Sequence, residues 1–230
     1  MKFKPNYCRP EAYFYFAEQL PHLETTTGLL RAALAISMHA LDDVVPDDIE
    51  SRLLGIAADT RSKFRGNQVE AMLAYHHETF FEKYGFAGNH NNYYLTLNSY
   101  LPTVLESARG IPVTLSLLYK VIGEYIGLDV RGVNVRGHFL VRVRDQKNWL
   151  IIDPYFGGTV LSREEAYTRI EQVTRQRVVR HHSTLEPSTH RQWIIRILAN
   201  LRLIFTLQNR NEDLGAMNEF YNLLVDEQDR

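Results

Sequence analysis

Over the first hundred positions, apolar residues recur with a helical period. Residues 11–20 are aromatic-rich and stop at Pro21, which predicts a short helix. Thr25-Thr26-Thr27 offers an N-cap to a helix carrying Leu29, Leu30, Ala33, Leu34 and Leu41. Asp47 followed by Glu50 reads as a capping box that opens a helix through Leu53, Leu54 and Ile56, with Gly66 as its breaker. Asn67 then opens a helix that turns Val69, Met72, Leu73, Phe80 and Phe81 inward. Residues 84–94 are rich in Gly, Asn and aromatics and follow neither period. They predict an ordered loop of the kind that walls a cleft. Asn98-Ser99-Tyr100-Leu101-Pro102 predicts a capped short helix that ends near Arg109.

The pattern sharpens at Ile111. Ile111, Leu115, Leu118, Val121, Ile122, Tyr125 and Ile126 form one helical stripe. Pro112 suits the first turn, where its missing N–H has no partner to lose, and Gly127 supplies a left-handed stop. The runs then become short and β-like: Val130, Val133 and Val135, then Phe139 to Val143, then Trp149 to Ile152. Gly132, Gly137 and the turn Asp145-Gln146-Lys147-Asn148 punctuate them. Ser162-Arg163-Glu164-Glu165 is a second capping box, opening a helix to about Glu171. Pro187-Ser188-Thr189 starts a long helix, Asn209-Arg210-Asn211 turns it, and Met217, Phe220, Tyr221, Leu223 and Leu224 continue on a partner helix. The expectation is an α+β chain, mostly helical. It divides into a helical part over 1–108, a core of one buried helix on a small antiparallel sheet over 109–186, and a C-terminal helical hairpin over 187–230.

Composition narrows the function classes. Hydrophobic residues at 45% and charged residues at 23% are those of a soluble globular protein able to bury a sizeable core. A formal net charge of −1 gives no pull toward nucleic acid or acidic membranes. The arginines gathered over 162–210 are scattered without interleaved aromatics, so a solvated helix face fits them better than a nucleic-acid site. A single cysteine rules out a disulfide framework and fits a reducing compartment. With no apolar leader at the N-terminus and no run of spanning length, the expected location is cytoplasmic.

Candidate chemistry sits at the strand ends. His138 opens the second strand and Asp153 closes the third. The pair can be base and orienter, or a satisfied strand histidine and a turn-initiating Asp-Pro. His76-His77, His90 and His181-His182 lack a Cys or carboxylate at ligand spacing, so no metal is expected, and no cofactor either. A Gly-rich phosphate loop and a Gly-x-Ser-x-Gly elbow are both missing.

A helix whose N-terminus precedes a strand-borne His, with an Asp at the next strand's end, resembles the transglutaminase-like (papain-related) superfamily. The words Asn98-Ser99-Tyr100-Leu101, Arg109-Gly110-Ile111-Pro112, Gly137-His138-Phe139-Leu140-Val141 and Asp153-Pro154-Tyr155-Phe156-Gly157-Gly158 resemble its SirB-one-like family. That family's domain also occurs in a eukaryotic F-box protein and carries a tetratricopeptide-like extension. The resemblance implies that an active relative places a Cys at the helix N-terminus, where the dipole and a His–Asp pair favour the thiolate. Here that position falls at about Pro112, and the one thiol is Cys8, far off in sequence. Ser116, one turn on, is the nearest hydroxyl; Thr114 points nearly opposite. The chain also departs from the family at Thr96-Leu97, commonly Asp-Pro there, and at Arg136, usually Pro.

The expected reading is a non-catalytic module that binds a protein or peptide, and neither nucleic acid nor membrane. Asn98, Tyr100, Arg109, Pro112, Arg136, Tyr155 and Phe156 would line the groove, and a homodimer through the C-terminal helices is an open option. The alternative is a weak hydrolase or acyl transferase, with His138 and Asp153 as dyad and Ser116 or a water attacking.

Overall fold

The computed structural model describes residues 4–146 and 148–226; Lys147, in the expected turn, lies outside them, as do the side chains of His182 and Asp226. Among the described residues, five α-helices precede the central one: α1 (Pro10–Gln19), α2 (Thr26–Ala40), α3 (Pro46–Ser62), α4 (Val69–His77), which runs on into a π turn over Glu78–Lys83, and α5 (Leu101–Ser107). Two short strands, β1 (Ala87–Gly88) and β2 (Arg109–Gly110), pair in parallel and tie the 84–94 loop to the start of α6 (Pro112–Tyr125). Then follow β3 (Val130–Val135), β4 (His138–Asp145), β5 (Asn148–Asp153) and β6 (Thr159–Leu161), one antiparallel sheet in sequence order. Helices α7 (Arg163–Thr174), α8 (His190–Leu207) and α9 (Asn211–Asp226) complete the chain.

Helix α6 is the centre. Every residue from Pro112 to Gly123 is buried, which requires its polar members to find partners inside. Thr114 donates to the Asn98 carbonyl at 2.8 Å, and the Lys120 ammonium meets Glu124 and the Val130 carbonyl. The alternation of β4 serves two cores. Phe139, Val141 and Val143 face α6 and the large helical core, while Leu140 joins Val133, Val135, Ile151 and Leu161 beneath Ala166, Tyr167 and Ile170 of α7. The C-terminal hairpin buries its faces on the rest of the chain. Trp193 donates to the Val113 carbonyl at 3.1 Å, and Phe220 meets Phe16 at 4.9 Å.

Several local readings shift. Thr25 caps α2 through the Gly28 amide, and Ser162 and Glu165 form their box, as expected. Helix α3 instead starts at Pro46 with no side-chain cap, because Arg31 reaches across from α2 to the Asp47 and Glu50 carboxylates. Helix α5 starts at Leu101 with Tyr100 as its uncapped neighbour, since Asn98 spends its side chain on the preceding loop. Gly132 lies inside β3 rather than ending it; a Cβ there would stand 2.4 Å from the Trp193 ring. No helix among the described residues is long and apolar enough to cross a membrane.

Candidate functional site

A tight turn at Arg136-Gly137, with Gly137 at φ 71°, folds β3 onto β4 and pairs Val135 with His138. Asp153 ends β5, and its two carboxylate oxygens divide the work. Oδ1 accepts the amides of Tyr155 and Phe156 at 3.2 and 3.3 Å, capping the turn over Pro154–Phe156. Oδ2 lies 3.0 Å from His138 Nε2 and accepts from Arg169 at 3.0 Å. The turn-initiator and dyad roles are therefore both filled by one residue. The His138 and Asp153 side chains are fully buried.

This fixes the imidazole's tautomer by bonding logic. A carboxylate oxygen only accepts, so Nε2 carries a proton, and in a neutral ring the lone pair is at Nδ1. That Nδ1 is buried and has no hydrogen-bond partner among the described residues. A buried acceptor without a donor is costly, which marks the spot where an incoming N–H, O–H or water gains most.

Among the described residues, no nucleophilic side chain bonds to Nδ1. Ser116 is buried, and its hydroxyl donates to the Phe139 carbonyl at 3.4 Å. Pro112 is the buried first residue of α6. Cys8 donates its Sγ–H to the Ala216 carbonyl on α9, and burial together with Glu219 pushes its thiol pKa far up. It belongs to the junction of α9 with the N-terminal lead-in.

Aromatic rings wall the imidazole. Tyr155 stands edge-on at 6.0 Å and Phe156 at 5.9 Å; His90 meets them at 4.5 and 5.2 Å, and Tyr93 lies 6.3 Å from Tyr155. Tyr155 comes so close to Gly88 that a Cβ there would sit 2.6 Å from its ring. Burial pushes the Tyr155 phenol up to about 12, with Tyr93 and Asp153 adding to it. The 84–94 loop thus forms one side of the site through His90 and Tyr93.

The other sequence candidates divide. Asn98 is buried, accepting from Asn89 at 2.9 Å and donating to the Asn92 and Tyr93 carbonyls at 2.7 and 3.2 Å; it shapes the wall from behind. Tyr100 is buried near Arg210 and Asp213. Arg109 is exposed and donates to the Gly85 and Ala108 carbonyls at 2.7 and 2.9 Å, fastening the loop. Arg136 is exposed at its turn. Sequence reasoning passed over Arg169, which grips Asp153 and lies 4.2 Å over the Phe156 ring. Nothing in the arginines spread over 162–210 distinguishes one as turned inward.

A family model described as the transglutaminase-like superfamily matches residues 47–199. A "UPF0162 protein" of Xylella fastidiosa is 30% identical over 198 residues, covering 81% of this chain and 68% of the relative. A "UPF0162 protein" of Haemophilus influenzae is 26% identical over 53% of this chain and 48% of its own length. The human "F-box only protein 21" is 33% identical over 40% of this chain, 16% of that protein. No solved structure matches.

Proposed function

Since this chain belongs to the transglutaminase-like superfamily and, with its Xylella relative, to the UPF0162 family, we propose that it is a non-catalytic member that binds a protein or peptide in the old active-site groove. The observation that carries this is the His138–Asp153 pair kept in dyad geometry while neither Ser116, Cys8 nor any other described side chain bonds to Nδ1. The aromatic wall supplies apolar area on which side chains can pack. The four sequence words quoted above further support assignment to the SirB-one-like family, with α8 and α9 as its tetratricopeptide-like extension. The stretch shared with a protein named for its F-box is in keeping with a domain that serves inside larger chains.

Photo-crosslinking tests this. With p-benzoylphenylalanine replacing the exposed His90, a partner should be captured that the same group at exposed Leu203 on α8 does not capture. Equal capture from both positions, or none from either, contradicts the proposal.

A second reading has its own observation in the lone pair at Nδ1: with Nε2–H held by Asp153, it is placed to accept a proton from water and so to support slow hydrolysis. Ester or amide turnover that disappears in His138→Ala would favour it.

A further inference from the structure

A cavity of about 580 Å³ opens beside the edge strand β3, where α2 and α8 begin. Gly132, which lines it, lies three residues along β3 from Val135, the cross-strand partner of His138. Ser188 closes it from the α8 side, its amide donating to the Gly132 carbonyl at 2.8 Å. The volume falls within the roughly 300–1,000 Å³ of small-molecule sites.

The charges that line it are two cations, Lys120 and Arg131, and three carboxylates, Glu24, Glu124 and Asp129. Two pairs cancel. The buried Lys120 ammonium meets Glu124, whose other oxygen accepts from Thr26, and Arg131 meets Asp129 at 3.2 Å. Glu24 remains, exposed and without an ion pair among the described residues.

Three polar atoms on the lining keep unused capacity. Lys120 also donates to the Val130 carbonyl at 2.8 Å, so two of the three N–H bonds of its ammonium are taken. The Ser188 hydroxyl is buried and has no partner among the described residues. His190 spends its Nδ1–H on the Leu23 carbonyl at 2.8 Å. Burial and the Lys120 charge lower its pKa, which leaves a neutral ring with the lone pair at Nε2. Enclosed N–H and O–H groups without acceptors are costly, and the positive ends of α2 and α8 point the same way, toward an anion. Glu24 and the imidazole lone pair ask for the opposite, a cation with N–H groups to give.

We propose that the cavity binds an α-amino acid zwitterion, free or as the two ends of a short peptide. The carboxylate would sit on Lys120 and Ser188, and the ammonium on Glu24 and His190 Nε2. A ligand of one sign serves only half of the lining: an anion would face Glu24 and Glu124, and a cation would leave Lys120 and Ser188 unmet. The inference goes beyond the groove reading and does not depend on it.

The test uses the full chain, isotope-labelled for NMR, titrated with alanine and tri-alanine, each also as its N-acetyl derivative and its C-terminal amide. At least one of the two zwitterions should move the His190 ring resonances and leave those of His138 in place. Whichever does so sets the spacing of the two charges. It should bind about tenfold more tightly than either of its capped forms. Glu24→Gln should remove the penalty of acetylation, and Ser188→Ala should reduce that of amidation. The first changes an exposed carboxylate and the second deletes an unpartnered hydroxyl, so both should melt near the wild-type temperature. Capping that leaves binding unchanged, an acetylation penalty that survives Glu24→Gln, or no shift at His190 at the solubility limit would each overturn the proposal. A shift at His138 instead would also overturn it, while favouring the groove.

Discussion

His138 Nε2 and Asp153 Oδ2 stand 3.0 Å apart with both side chains sealed from solvent, and Arg169 closes on the same oxygen from α7 at 3.0 Å. The carboxylate is saturated: two backbone amides take one oxygen, and the imidazole and guanidinium take the other. Asp153→Ala should therefore be severe, because it leaves a partly buried cation and two capping amides unpaired. The expected loss is roughly 3–5 kcal/mol by urea denaturation. Asp153→Asn keeps the shape and should cost less. A loss under about 1 kcal/mol for the alanine variant would mean that Asp153 holds neither helix nor turn.

Outside the site, buried His76 and half-buried His77 contribute most to the acid limit. His76 bonds the Tyr119 carbonyl and His77 the Tyr119 hydroxyl; burial pushes them down to about 3 and about 4. The unfolded chain binds protons at these positions below pH about 6.5, whereas the folded chain does so only near the lowered values. Their contribution is complete above about 6.5 and is lost as pH falls toward 4. The melting temperature should drop across that window, and His76→Phe should flatten the slope. An unchanged slope in the variant would contradict this.

Gly132→Ala places a Cβ 2.4 Å from Trp193, and neither β3 nor the α8 packing has room to yield. Overpacking of this kind costs about 1–3 kcal/mol, so a clear fall in the denaturation midpoint is expected. Gly55→Ala, where a Cβ meets nothing, is the control and should be neutral or mildly stabilising.

The parts of this fold that local chemistry dictates were legible in the sequence. The stripe from Ile111 to Ile126, its proline start and glycine stop, and the three long strands all follow from spacing within a few residues. What escaped depends on distant partners. Asp47 and Glu50 look like a cap until Arg31 arrives from another helix, and Gly132 looks like punctuation until Trp193 packs on it. Strand β6 has only three residues, two of them exposed, and carries almost no pattern. In the site, His138 and Asp153 were readable from their order at the strand ends. Arg169 was not, because one inward-turned arginine reads like any other in a basic stretch.

Cys8 should behave as a core residue. Burial, Glu219 and the bond to Ala216 keep it a thiol, so a disulfide reagent such as DTNB should fail to label the native chain and label it stoichiometrically in denaturant. Rapid native labelling would contradict its placement on α9.

The proposed function requires that none of the described side chains attacks from beside His138. Intact-protein mass spectrometry tests it on the native chain, incubated with an acyl-peptide thioester and a fluorophosphonate and quenched in acid. The unmodified mass is expected for wild type and Ser116→Ala alike. A stoichiometric adduct on Ser116 or Cys8 that vanishes in His138→Ala would contradict it.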